Sequence, residues 1–237
     1  MLSGSNTDVM ILETPYRARI SQYGSQLLNF LLADDKHIAM DLLNTFSSTY
    51  DRRDDLDDTI QVICDVLDRV LQQQEATFPR RLPPARTFSI EEQDKVMSQL
   101  LDMNVIWFSD LYNFSQNIRE NNGIENFEMV KQTQAYKLHQ AIKNGSPEAL
   151  TLIESYFRLF SNEKFRIEMA SRILEMILQN KYSNKEIQKA IATVLLNHGA
   201  QVHDHNIDEL NYLDDTHRLT DLASSNQSRT AYRYLIG

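Results

Sequence analysis

The chain has 237 residues, of which 42% are hydrophobic and 24% charged, and its formal net charge is -9. That length suits one large domain or two small ones with a sizeable core. The acid excess weighs against a nucleic-acid backbone or an anionic membrane as the main partner, because both reward surplus lysine and arginine.

Glycine and proline are sparse, at 6 and 5, and apolar residues recur at three- and four-residue spacing instead of alternating. This pattern predicts an all-α fold. After a polar start, Thr14 can cap a first helix and Pro15 can sit in its opening turn, where a missing N–H costs nothing. Ile20, Tyr23, Leu27, Leu28, Phe30 and Leu31 would face its core. Asp34 or Asp35 opens a second helix with Ile38, Leu42, Leu43 and Phe46 on its apolar face. A third, over 54–75, carries Leu56, Ile60, Ile63, Leu67, Val70 and Leu71. Residues 1–78 therefore read as an N-terminal helical unit.

Pro79, Pro83 and Pro84 remove donors and fix φ within a short span, so 79–87 reads as a proline-rich linker. The C-terminal helical domain, 88–237, begins at a capping box in which Ser89 and Glu92 satisfy each other's backbone N–H groups. One helix is expected from there to about 120, with Val96, Leu100, Leu101, Ile106, Trp107, Phe108, Leu111, Tyr112 and Phe114, ending at Asn121-Asn122-Gly123. The next runs over 126–144 and stops at Gly145, a natural left-handed terminator. Ser146-Pro147-Glu148 then supplies a cap, a first-turn proline and a carboxylate favoured by the helix dipole. Helices follow over 162–179 and from a second capping box, Ser183 to Glu186, as far as His198-Gly199. The tail offers two short helical stretches, 217–224 and 228–235.

Three fragments in this half share a pattern. Leu138-His139-Gln140-Ala141 is followed by Gly145, Glu148, Leu152 and Ile153. Val194-Leu195-Leu196-Asn197-His198-Gly199-Ala200-Gln201-Val202 reads as a helix end with its exit loop, and Leu222-Ala223-Ser224-Ser225-Asn226 precedes Tyr234-Leu235-Ile236. Small Ala141 and Ala223 let helices approach, Gly145 and Gly199 supply left-handed turns, and paired leucines seal a stack. The chain over about 131–237 resembles the ankyrin-repeat family in a degenerate form. No intact Thr-Pro-Leu-His occurs, the stretch from Gly199 to Leu222 exceeds the usual hairpin loop, and 155–181 keeps no clear register. An ordinary helical bundle is the competing reading. The resemblance implies a stack that binds proteins through its concave helical face and hairpin tips, with contact residues that vary between members.

Other chemistry has plainer explanations beside it. Arg80-Arg81-Leu82-Pro83-Pro84 partly matches polyproline ligands, but Arg86 stands where a further proline is usual, and a stiff linker explains it. His198, His203, Asp204, His205 and His217 include zinc-type donors without zinc-motif spacing, as in a solvated loop. The acids of 51–58 lack the glycine turn and closing glutamate of a calcium loop and suit a helix's first turn. Cys64, the single cysteine, sits in an amphipathic run as a packing residue, and excludes an intramolecular disulfide. No phosphate loop, GxSxG or HExxH is present.

The expected function is a non-catalytic protein–protein interaction module that needs no cofactor or metal. Trp107, Tyr112, Arg80 and Arg81 are the candidate partner-binding residues, since aromatic and arginine anchors dominate interfaces. The alternative is an enzyme acting on a host protein. Sparse glycine, abundant asparagine and glutamine and eroded repeats resemble secreted bacterial effectors. With no Sec-type signal and no apolar run near the roughly 18 residues of a membrane helix, a soluble protein of the cytoplasm or another reducing compartment is expected, or of the host cytoplasm for an effector.

Overall fold

The computed structural model describes residues 7–48, 55–71, 88–118, 127–160, 162–179, 184–203, 206–213 and 217–236. These form α1 (Thr7–Ala33), α2 (Lys36–Ser48), α3 (Asp55–Leu71), α4 (Ile90–Asp102), α5 (Phe108–Ile118) and α6 (Glu128–Gln132). They continue as α7 (Gln134–Lys143), α8 (Glu148–Phe157), α9 (Glu163–Gln179), α10 (Lys185–Asn197), α11 (Ile207–Leu213) and α12 (Arg218–Ile236). The fold is all-α, with no strand among the described residues. No described helix is long and apolar enough to cross a membrane. The chain divides into two compact units, Met1–Gln99 with Phe114–Met129, and Leu100–Asn113 with Val130–Gly237.

In the first unit α1 packs on α2 and α3. Ile20, Leu27, Leu28 and Leu31 of α1 are buried, as are Val62, Ile63, Val66, Leu67, Val70 and Leu71 of α3. Each such side chain contributes about 1.5–3 kcal/mol on burial. Arg69 fixes the register of the two helices. Its Nε donates to Asp65 Oδ2 at 2.7 Å, Nη1 to Ser25 Oγ at 2.8 Å, and Nη2 to both the Ser21 carbonyl at 3.0 Å and Ser21 Oγ at 2.8 Å. Gly24 lies between those serines, and a Cβ there would overlap the Asp65 carboxylate. The glycine is what lets α3 come this close.

In the first unit the first helix begins earlier than expected. α1 begins at Thr7, so Thr14 and Pro15 are interior, and the helix runs through a residue that forgoes a backbone donor. On α2 the buried face is Ala39, Leu43 and Phe46, while Ile38 is 46% exposed. α4 joins this unit through polar side chains. Lys95 Nζ donates to the Leu32 carbonyl at 2.9 Å, Gln99 Nε2 to Asp34 Oδ1 at 2.8 Å, and Asp94 Oδ2 accepts from the Met129 N–H at 3.0 Å. The expected capping box opens α4, with Ser89 N–H donating to Glu92 Oε2 at 3.0 Å and Glu92 N–H to Ser89 Oγ at 3.1 Å.

Two long predicted helices are each broken. The first stops at Asp102 because Asn104 turns left-handed, φ 56°, and the Val105 N–H closes back on the Leu100 carbonyl at 3.4 Å. This is the Schellman geometry, in which a left-handed residue satisfies the last carbonyls of a helix. The second breaks at Thr133. Its hydroxyl donates to the Val130 carbonyl at 2.7 Å, ending α6, and accepts from the Tyr136 N–H at 3.2 Å, capping α7.

The second unit is built of helical hairpins. α7 and α8 pack on one another across a four-residue connection, with Gly145 at φ 61° and the Ser146 N–H bonded to the Ala141 carbonyl at 2.9 Å. Ser146 Oγ accepts from the Glu148 N–H at 3.3 Å. α9 packs on α10, and α11 on α12. Across hairpins, α8 and α12 both neighbour α10, and α9 neighbours α11. Second helices thus lie against second helices, and the first helices of the last two hairpins against each other. Within the stretch between Gly199 and Leu222, which was expected as a loop, Ile207–Leu213 form α11. The tail is one helix, α12, where two short ones were expected. Asn184, whose side chain accepts from the Glu186 N–H at 2.9 Å, caps α10, and Ser183 lies outside the described residues.

Candidate functional site

The four predicted partner-binding residues fall in different settings. Arg80 and Arg81, with the whole 79–87 linker, lie outside the described residues. Trp107 is fully buried. The left-handed turn at Asn104 and the bend that follows carry it inward, where its ring centroid lies 5.9 Å from His139 and 5.8 Å from Tyr156. Tyr112 is half-buried, with its ring 6.3 Å from Phe108. The structure therefore brings Trp107 and Tyr112 into one aromatic region.

That region runs through the second unit as a chain of rings. Tyr136 meets Phe108 edge-on at 5.0 Å, Phe108 meets His139 at 4.8 Å, and His139 meets Trp107. Trp107 continues to Tyr156, Tyr156 to Phe157 at 5.5 Å, and Phe157 to His198, stacked at 4.5 Å. Edge-on and offset rings of this kind add about 0.5–1.5 kcal/mol per pair beyond their area. Trp107 Nε1, Tyr156 Oη and His139 Nδ1 are buried without a hydrogen-bond partner. Burial drives the Tyr156 phenol well above its ordinary range. Burial, aided by Lys143, pulls the His139 imidazole down to about 4. Burial also lowers His198, with the Glu154 carboxylate at 4.0 Å opposing the shift and Arg166 reinforcing it.

The exit loop of the second hairpin is clamped from two sides. Gly199 adopts φ 91°, and the Ala200 N–H bonds to the Leu195 carbonyl at 3.1 Å. Ser171 Oγ on α9 accepts from the Gln201 N–H at 2.8 Å. Asn226 Nδ2 on α12 donates to the carbonyls of Leu196 at 2.7 Å and Ala200 at 3.1 Å, and Gln227 Nε2 donates to the Val202 carbonyl at 2.8 Å. Of the weighed histidines, His198 serves this hairpin by stacking, His203 and His217 are exposed, and Asp204 and His205 lie outside the described residues. Among the described residues no three metal-capable side chains gather.

Three features escaped the sequence reading. Tyr212, on α11, is 71% exposed with Lys185 Nζ 4.4 Å over its ring, and Leu159, just past α8, is 52% exposed. Asp110 of α5 faces Arg172 of α9, with Oδ2 3.9 Å from Nε, while Glu168 Oε1 accepts from the same Nε at 2.9 Å. Burial raises the Asp110 carboxyl above its ordinary value; Arg172 pulls it back, and Glu168 and Glu175 push it further up. Sequence spacing could signal none of these, because each depends on which helices become neighbours. Cys64 is half-buried, and burial, then Asp68, push its thiol up, away from nucleophilic character. No family model, curated protein or solved structure matches this chain.

Proposed function

We propose that the protein is a non-catalytic protein–protein interaction module whose second unit recognises a protein partner through an ankyrin-like helical surface. The observation that carries this reading is the stacking order, in which α10 lies against both α8 and α12 while α9 lies against α11. Units stacked in this way leave their outer helical positions free of packing duty, which is how repeat proteins form extended binding faces. Exposed Tyr212 is an aromatic anchor of the type that interfaces bury, and exposed Leu159 adds apolar surface. Affinity capture by the full chain from a eukaryotic lysate, followed by mass spectrometry, tests the reading. One saturable protein partner, lost on Tyr212→Ala or Leu159→Ser, supports it. Retention by both variants moves recognition to another surface.

One observation favours the enzymatic alternative, an effector that modifies a host protein. Asp110, with its raised carboxyl beside Arg172, has the character of a general acid. An altered mass on the captured partner, abolished by Asp110→Asn, would replace the binding reading with this one.

A further inference from the structure

The chain of rings in the second unit has an imidazole near each end, both lowered by burial, and a carboxylate opposes the shift in His198 alone. His198 has a carboxylate waiting for its proton, Glu154 of α8 at 4.0 Å, although Arg166 of α9 also bears on it. Its neighbour α12 offers the amide of Asn226 to the nearby Leu196 carbonyl. His139 has no such compensation. Its flanking rings are Trp107 and Phe108, its Nδ1 is buried with no acceptor, and the charged group acting on it is the cation Lys143, one turn further along α7. The charged group identified on α5, Asp110, faces Arg172 of α9, and Glu154 of α8 faces His198.

We propose that His139 is an acid-sensitive latch, whose protonation expels it from between Trp107 and Phe108 and loosens the packing of the first hairpin in the second unit. His139 is half-buried, but its Nδ1 is buried, and a proton placed there finds no acceptor, a desolvation cost that the flanking rings do not repay. Because His139 titrates near 4 when folded and near its ordinary 6.5 when released, the released form binds more protons across that window. Stability therefore falls as pH drops through it, and is fully recovered above 6.5. Burial lowers His198 as well, but the Glu154 carboxylate opposes the shift, so its protonation loosens the packing less.

The only tryptophan in the chain, Trp107, touches the latch, so its emission reads the event directly. The full chain is titrated from neutral pH to about 4, following Trp107 emission and near-ultraviolet circular dichroism. The expected result is a cooperative change whose midpoint moves down by about one pH unit in His139→Phe, which keeps a ring and removes the proton site. His198→Phe should move the midpoint less than His139→Phe does. An unshifted midpoint in folded His139→Phe overturns the proposal. Should that variant not fold, NMR titration of the wild-type imidazoles decides: His139 protonating at its ordinary value within an intact fold overturns the latch, and protonation only as the Trp107 signal changes supports it.

Discussion

The two units hold their helices together by different chemistry. In the first, a charged group does the joining: the Arg69 guanidinium spans from α3 to two serines and a carbonyl of α1, and Lys95 of α4 reaches the Leu32 carbonyl. In the second, the buried joints are neutral, formed by a chain of rings and by the Asn226 amide across the end of α10, while the charged pair Arg172–Asp110 keeps 43% and 40% of its side-chain surface. The difference follows from where the joints lie. The Arg69 and Asp65 side chains keep 33% and 26% of their surface, so water relieves part of their desolvation. Asn226 and Trp107 are buried, where an uncompensated charge would cost far more than a neutral amide or ring.

The comparison can be broken at either joint. Arg69→Met removes four hydrogen bonds and should cost about 2–3 kcal/mol in urea denaturation, with part of the loss already present in wild type at high salt. Asn226→Ala removes two buried hydrogen bonds, to the Leu196 carbonyl, which keeps the Gly199 N–H, and to the Ala200 carbonyl, and should cost about 2 kcal/mol, independent of salt. A salt dependence as large as that of the Arg69 variant would erase the distinction between the units. Gly199→Ala forces an L-residue to φ 91° against Ile167 and should cost about 1–2 kcal/mol in a thermal melt. Tyr156→Phe is the smallest and most pointed change. It deletes a buried hydroxyl that has no partner, so stability should stay level or rise by up to about 1 kcal/mol. A clear loss would mean that the ring chain depends on that hydroxyl.

The helix ends show what could be read in the residues. Gly145 and Gly199 announce left-handed turns because only glycine takes that conformation without strain, and both form Schellman closures. Asp34 and Asn104 do the same at φ 67° and 56°. There the side chain gives weaker notice, since aspartate and asparagine equally open helices or sit on their surfaces. The missed turn at Asn104 led to one helix where α4 and α5 form two, and with it hid how Trp107 is carried into the core. The capping box at Ser89 was legible because its partners are three residues apart.

Local pattern by itself determined the all-α class, the apolar stripes of α1 and α3 and the hairpin joining α7 to α8, because helical periodicity, caps and left-handed glycines act within a few residues. Only the tertiary structure decided that Gly24 faces Asp65, that Asp110 meets Arg172, and that His139 is flanked by Trp107 and Phe108. Those pairings join residues tens of positions apart. The free energy that selects them lies in burial and charge between helices, which no spacing along a single helix records.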